Sequence, residues 1–86
     1  MASLMKRPRL RVVQARPGHR LELTFVDGRR FVLGMREDVL KYPGLKPLQN
    51  AKAFAGAVLG DDGWTVEWPA LDIQIGADTL YLNALA

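Results

Sequence analysis

Residues 20–35 read Arg20-Leu21-Glu22-Leu23-Thr24-Phe25-Val26-Asp27-Gly28-Arg29-Arg30-Phe31-Val32-Leu33-Gly34-Met35, two alternating runs on either side of Asp27-Gly28. Strand side chains alternate between faces, so Leu21, Leu23 and Phe25 share one side, and Phe31, Leu33 and Met35 share a side of the second run. A two-residue loop at Asp27-Gly28 would set Phe25 opposite Arg30 and Leu23 opposite Val32, sending Phe31 and Leu33 to the wrong side. A three-residue loop, Asp27-Gly28-Arg29, sets Phe25 opposite Phe31, Leu23 opposite Leu33 and Leu21 opposite Met35. All these apolar residues then face one core, with Gly28 left-handed in a type I turn followed by a bulge.

The same reasoning extends towards the N-terminus. Leu10 to Arg16 is a strand, and a three-residue loop at Pro17-Gly18-His19 sets Ala15 opposite Leu21 and Val13 opposite Leu23. The first three strands form an antiparallel meander with an apolar inner face. The outer face carries Glu22, Thr24 and Val32, with Arg30 at its rim. Residues 1–9, with Lys6-Arg7-Pro8-Arg9, read as a basic, flexible tail, and 10–86 as a single small domain.

Beyond the meander, Glu37 to Tyr42 suits a short helical turn with acids at its start, stopped by Pro43-Gly44. Leu45 and Leu48 around Pro47 form a packed connector. Asn50 is placed to cap a short helix through Ala55; the alanine-rich composition could also carry that helix to Leu59. Gly60-Asp61-Asp62-Gly63 is the turn of a second hairpin, with Trp64, Val66 and Trp68 on one face and assigned to the core. Pro69 ends that strand. Leu71 to Ile75 alternates as a last short strand. A C-terminal helix runs from Asp78 to Leu85, with Leu80 and Ala84 over the core and Tyr81 and Leu85 beside that stripe. The expected class is α+β.

The hydrophobic fraction of 49% suffices for one core. There is no cysteine, which excludes disulfides, thiolate metal sites and a cysteine nucleophile. No apolar run approaches the roughly 18 residues of a membrane span, and the start lacks a signal-peptide core, so a soluble cytoplasmic protein is expected. The net charge of +3 conceals an asymmetry. All 12 bases fall between Lys6 and Lys52 beside four acids, leaving +8, whereas residues 53–86 hold five acids and no base, leaving −5. The two halves can fold against each other and partly cancel. Alternatively, a basic face attracts phosphate or an acidic protein.

His19 is the only histidine. It sits in a Pro-Gly turn with no nucleophile or second ligand placed beside it, and reads as a turn residue. Asp61 and Asp62 lack the further oxygen ligands of a calcium loop. The spacing of Asp61, Asp62, Asp72, Glu67, His19 and Tyr81 assembles no acid/base pair. Neither a catalytic centre nor a cofactor is expected.

The succession Arg20-Leu21-Glu22-Leu23-Thr24-Phe25, Asp27-Gly28, Pro47-Leu48, Ala53-Phe54, Val66-Glu67-Trp68-Pro69, Leu71-Asp72-Ile73 and Asp78-Thr79-Leu80-Tyr81 resembles the bacterial "domain of unknown function 2442" family, from about Val12 to Tyr81. Ala70-Leu71 stands where members commonly carry Asn-Gly. The resemblance implies a meander, a helical connector, a second hairpin and a C-terminal helix. It supplies no activity. It implies a partner encoded beside the domain, as in a two-gene pair of toxin–antitoxin type, and in some relatives a fused helix-turn-helix.

Two functions follow as expectations. The first is a non-enzymatic module that binds a small partner protein or a second copy of itself. The second is nucleic-acid binding through the arginine-rich N-terminal half. Arg9, Arg16, Arg20, Arg29, Arg30 and Arg36 are the candidate surface for either. Arg11 shares the alternation of Val13 and Ala15 and is placed at the core's edge. The open edges of the meander also suit strand addition or dimerisation.

Overall fold

A computed structural model describes residues 7–85. Strands β1 (Leu10–Arg16), β2 (Arg20–Phe25) and β3 (Arg30–Gly34) form an antiparallel sheet in sequence order. Its first hairpin has the expected register, Ala15 opposite Leu21 and Val13 opposite Leu23 across Pro17-Gly18-His19.

The second hairpin also has a three-residue loop, but it is Val26-Asp27-Gly28. The Gly28 amide donates to the Phe25 carbonyl at 2.9 Å, and the Phe25 amide donates to the Arg29 carbonyl at 2.9 Å. Leu23 therefore lies opposite Phe31, and Leu21 opposite Leu33. The left-handed residue of this loop type is its last, and Gly28 fills that place with φ of +91°. Sliding the loop by one residue moves each partner by two, so the buried faces stay as expected. Met35 falls beyond β3, buried, with its amide donating to the His19 carbonyl.

β1 carries a bulge between Leu10 and Val12, which leaves Arg11 as the extra residue. The bulge reverses the alternation, so Leu10 joins the core although Val13 and Ala15 have the opposite parity. Arg11 is exposed on the outer side rather than at the core's edge.

Helix α1 (Arg36–Lys41) has Glu37 and Asp38 in its first turn and Lys41 in its last, matching the helix dipole. A 3₁₀ segment, Pro43–Gln49, leads to helix α2 (Ala51–Phe54). The Asn50 carboxamide oxygen accepts from the Lys52 amide at 2.9 Å and the Ala53 amide at 3.1 Å, which is the expected cap. The longer helix to Leu59 does not form, because Val58 already starts a strand.

Strands β4 (Val58–Gly60), β5 (Thr65–Trp68) and β6 (Ile73–Gly76) make a second antiparallel sheet in sequence order, so the expected hairpin and last strand are one unit. Asp61, Asp62 and Gly63, all with positive φ, form the turn between β4 and β5. Asp72, with φ of 54°, takes the left-handed position in the turn before β6. Helix α3 (Ala77–Leu85) closes the fold.

Leu21, Leu23 and Phe25 from the first sheet meet Val66 and Trp68 from the second in one core, which α1, α2 and α3 cover with Val39, Phe54 and Leu80. Tyr81 also lies in this core rather than beside the helix stripe. Its ring packs edge-on against Phe25 at 5.2 Å and Phe31 at 6.1 Å. The Trp68 indole N–H donates to the Phe54 carbonyl at 2.9 Å, satisfying its polar atom inside the core. Trp64 precedes β5 and is 39% exposed, so it leaves the face of Val66 and Trp68 to which it was assigned.

Candidate interaction surface

The outer face of the meander is organised by Glu22 on the central strand. Antiparallel register places Gln14 and Val32 on either side of it and brings Arg16 and Arg30 within diagonal reach. Arg16 donates to the Glu22 carboxylate through Nε at 2.9 Å and approaches it through Nη2 at 2.8 Å. Arg30 donates through Nη2 at 2.8 Å. These hydrogen bonds, that from Arg16 foremost, hold the Glu22 carboxyl below the ordinary glutamate value. Val12, 47% exposed, and Val32, 61% exposed, flank this charged centre. A shallow depression of about 260 Å³ runs over the same face, bordered by Arg11, Gln14 and Thr24.

The other candidate arginines lie elsewhere. Arg20 folds back on its own hairpin and donates to the Pro17 carbonyl at 2.9 Å. Arg29 pairs with Asp27 at 3.1 Å and donates to the Tyr81 hydroxyl at 2.7 Å, tying the second hairpin to α3. Arg36 borders an open cleft of about 400 Å³ with His19, Val39, Leu40 and Gln49. Arg9 donates from Nε to the Asp62 carbonyl at 2.6 Å, and its guanidinium lies 5.6 Å from the centre of the Trp64 ring. Of the basic segment 1–9, residues 1–6 lie outside the described residues; Pro8 is buried, and the Arg9 carbonyl accepts from the Val26 amide at 2.9 Å.

The Arg9–Trp64 pair joins residues far apart in the sequence. Its only local signal is a tryptophan directly after a turn, where a strand has not yet begun.

His19 acts as a clamp. Its Nε2–H points at the Leu48 carbonyl, 2.9 Å away, and the Gln49 carbonyl, 3.1 Å away. Both partners are acceptors, so this nitrogen carries the proton. The ring also packs on Phe54 with centroids 5.1 Å apart. The first hairpin turn is thereby fastened to the connector. Among the described residues no carboxylate lines the cleft beside His19. Among the described residues no three His, Cys, Asp or Glu side chains converge as metal ligands. No helix among them is long and apolar enough to cross a membrane.

The chain belongs to the family "Protein of unknown function (DUF2442)", whose pattern matches residues 10–86. Comparison with curated proteins gives no match. Among solved structures, the chain is similar to a "Putative DNA Binding Protein" of Nitrosomonas europaea, with 28% identity and a TM-score of 0.77. The similarity covers 90% of this chain and 48% of that one, so this chain spans about half the length of its relative. A protein of unknown function from Rhodospirillum rubrum shares the fold, with 16% identity and a TM-score of 0.70, over 92% of this chain and 90% of that one.

Proposed function

We propose that this domain is a non-enzymatic interaction module whose outer meander face binds a partner protein or a second copy of the chain. The observation that carries this reading is the pairing of Glu22 with Arg16 and Arg30 between two exposed valines. With one carboxylate set against Arg11, Arg16 and Arg30, the face offers a phosphate backbone a weaker field than its three arginines alone would give. It can still bury Val12 and Val32 against another protein, since interface centres are poor in unpaired charge. The two-gene arrangement implied by the family resemblance names the first protein to try, the product of the adjacent gene. Co-expression followed by calorimetric titration tests the reading. Replacing Val12 and Val32 together by Glu is expected to weaken binding by at least about tenfold, as truncation of interface centres does. Unchanged affinity in the double variant overturns the assignment of this face.

A second reading, nucleic-acid binding, is favoured by a different observation: the exposed Trp64 ring beneath Arg9, with Arg7 and Pro8 bordering the adjacent cleft. An aromatic ring with a guanidinium over it is the kind of surface on which an unpaired base stacks. The DNA-binding description of the Nitrosomonas europaea protein belongs to a chain about twice as long. Titration with single-stranded and duplex DNA at low and high salt, read by tryptophan fluorescence, separates the readings. A salt-dependent quench lost in Arg9→Ala supports the second, and no quench at low salt removes it.

A further inference from the structure

We infer that β3 pairs edge to edge with β3 of a second copy, antiparallel and centred on Val32, to make one continuous six-stranded sheet. The inference rests on the protein-binding reading above, with the chain itself as the partner, and moves the contact from the outer face to the edge of β3.

The backbone directions along β3 follow from its hydrogen bonds to the preceding hairpin. The Phe25 amide donates to the Arg29 carbonyl, and the Met35 amide donates to the His19 carbonyl. Between these two points the bonded positions alternate. Arg29, Phe31, Leu33 and Met35 turn their peptide groups towards the preceding strand, and Arg30, Val32 and Gly34 turn theirs outwards. Those three residues are exposed, and among the described residues no backbone bond from another element reaches their amides. β3 has no proline and no bulge, and its one charged residue, Arg30, is drawn towards Glu22 on the neighbouring strand.

The sequence of β3 is complementary to itself in one register. Centred on Val32, an antiparallel pair sets Val32 against Val32, Arg30 against Gly34 and Phe31 against Leu33. The first two contacts lie on the outer face, where Gly34 leaves room for the long Arg30 side chain already drawn towards Glu22. The third lies on the inner face, where Phe31 and Leu33 are only partly buried in the single chain. Pairing would bury both further against each other's counterparts. A register centred on Phe31 would set Leu33 against Arg29, and one centred on Leu33 would pair only part of the strand. The edge of β6 is a weaker candidate. It turns only Gln74 and Gly76 outwards, and the Asp78 carboxylate lies against Gly76.

The chain contains no cysteine, so one introduced thiol reports cleanly. In the proposed register Val32→Cys brings two thiols together at a bonded pair, about 5.5 Å between Cα atoms, within reach of a short bis-maleimide. Val12→Cys on β1 is the control. Sedimentation equilibrium of the wild type is expected to give twice the chain mass of 9.6 kDa at tens of micromolar. Val32→Lys sets two like charges opposite each other and is expected to raise the dissociation constant by at least about tenfold, with an unchanged circular dichroism spectrum. Val32→Cys should cross-link and Val12→Cys should not. A monomeric wild type at these concentrations overturns the inference. So does a dimer that Val32→Lys leaves intact or that cross-links only through Val12. If the wild type binds the adjacent gene's product while no self-association is seen, the protein-binding reading stands and the strand-edge contact falls.

Discussion

Gly63 lies so close to Leu10 that the Leu10 carbonyl oxygen occupies the space a Cβ at position 63 would need. This approach joins the turn before β5 to the first residue of β1, and so fixes how the two sheets meet. Gly63 also has φ of +95°, a conformation costly for other residues. Gly28 has a similar φ of +91°, but nothing lies within 4 Å of where its Cβ would stand. The two glycines separate backbone strain from steric overlap. Gly28→Ala is expected to cost about 1–2 kcal/mol, the left-handed penalty alone. Gly63→Ala adds displacement of a backbone carbonyl and is expected to cost about 1–3 kcal/mol more. Urea unfolding of both variants checks this; equal losses would show that the contact relaxes freely.

Glu22 makes the stability of the meander depend on acidity. The bonds from Arg16 and Arg30 stabilise the carboxylate in the folded chain, so its folded pKa lies below the ordinary value of 4.5. A group with a depressed folded pKa contributes stability that is complete above the unfolded pKa. That stability is lost as pH falls through the folded one. The urea midpoint difference between wild type and Glu22→Gln should therefore be largest near neutral pH and shrink below about pH 4.5. Because the three side chains are solvent-accessible, added salt should shrink it too. A difference that stays constant from pH 7 to pH 3 would mean that the carboxylate is not the group that matters.

How much of this was readable in the chain depends on what each pattern encodes. In the first hairpin, Pro17-Gly18-His19 is the one loop that sets Val13 and Ala15 against Leu23 and Leu21, and its register was legible. In the second, alternation fixes which face is buried but not the partner, because a two-residue shift preserves faces. The left-handed requirement at the last loop position chooses, and Gly28 meets it. The bulge at Arg11 was hidden by strict period-two reading, although Leu10 and Val13 are apolar residues of opposite parity in one strand. Arg16 beside Glu22 follows from the register of the first hairpin, but Arg30 reaches Glu22 only in the observed register of the second, because the expected loop set Arg30 opposite Val26. The meeting of Arg9 with Trp64 follows from neither register, because it depends on how two sheets pack.

His19 carries both a clamp and a strained backbone, with φ of 56°. Glycine in its place removes the strain and the clamp together; alanine removes only the clamp. His19→Ala should therefore lose the bond to Leu48 and the packing on Phe54 while keeping the left-handed cost. His19→Ala is expected to be less stable than wild type by at least about 1 kcal/mol for the lost hydrogen bond, and His19→Gly to be more stable than His19→Ala by about 1 kcal/mol because it relieves the strain. Thermal unfolding of the three chains gives the order. If His19→Ala equals wild type, the side chain contributes nothing to holding the turn on the connector.

Trp64 and Trp68, four residues apart, should respond to substitution in opposite ways. Trp68 is 2% exposed, packs 5.8 Å from Phe54 and spends its indole N–H on the Phe54 carbonyl. Trp68→Ala removes that bond and leaves a cavity between the second sheet and α2, and is expected to cost about 3–5 kcal/mol, enough to unfold a domain of this size. Trp64 is 39% exposed, with the Arg9 guanidinium over its ring. Trp64→Ala should cost about 0.5–1 kcal/mol, the worth of an exposed cation–π contact. Fluorescence supplies an independent check, because Trp64→Phe leaves the buried indole as the sole emitter and should shift emission to shorter wavelength, whereas Trp68→Phe should shift it to longer. Comparable destabilisation by the two alanine variants would place Trp64 in the core after all and remove the exposed ring on which the nucleic-acid reading depends.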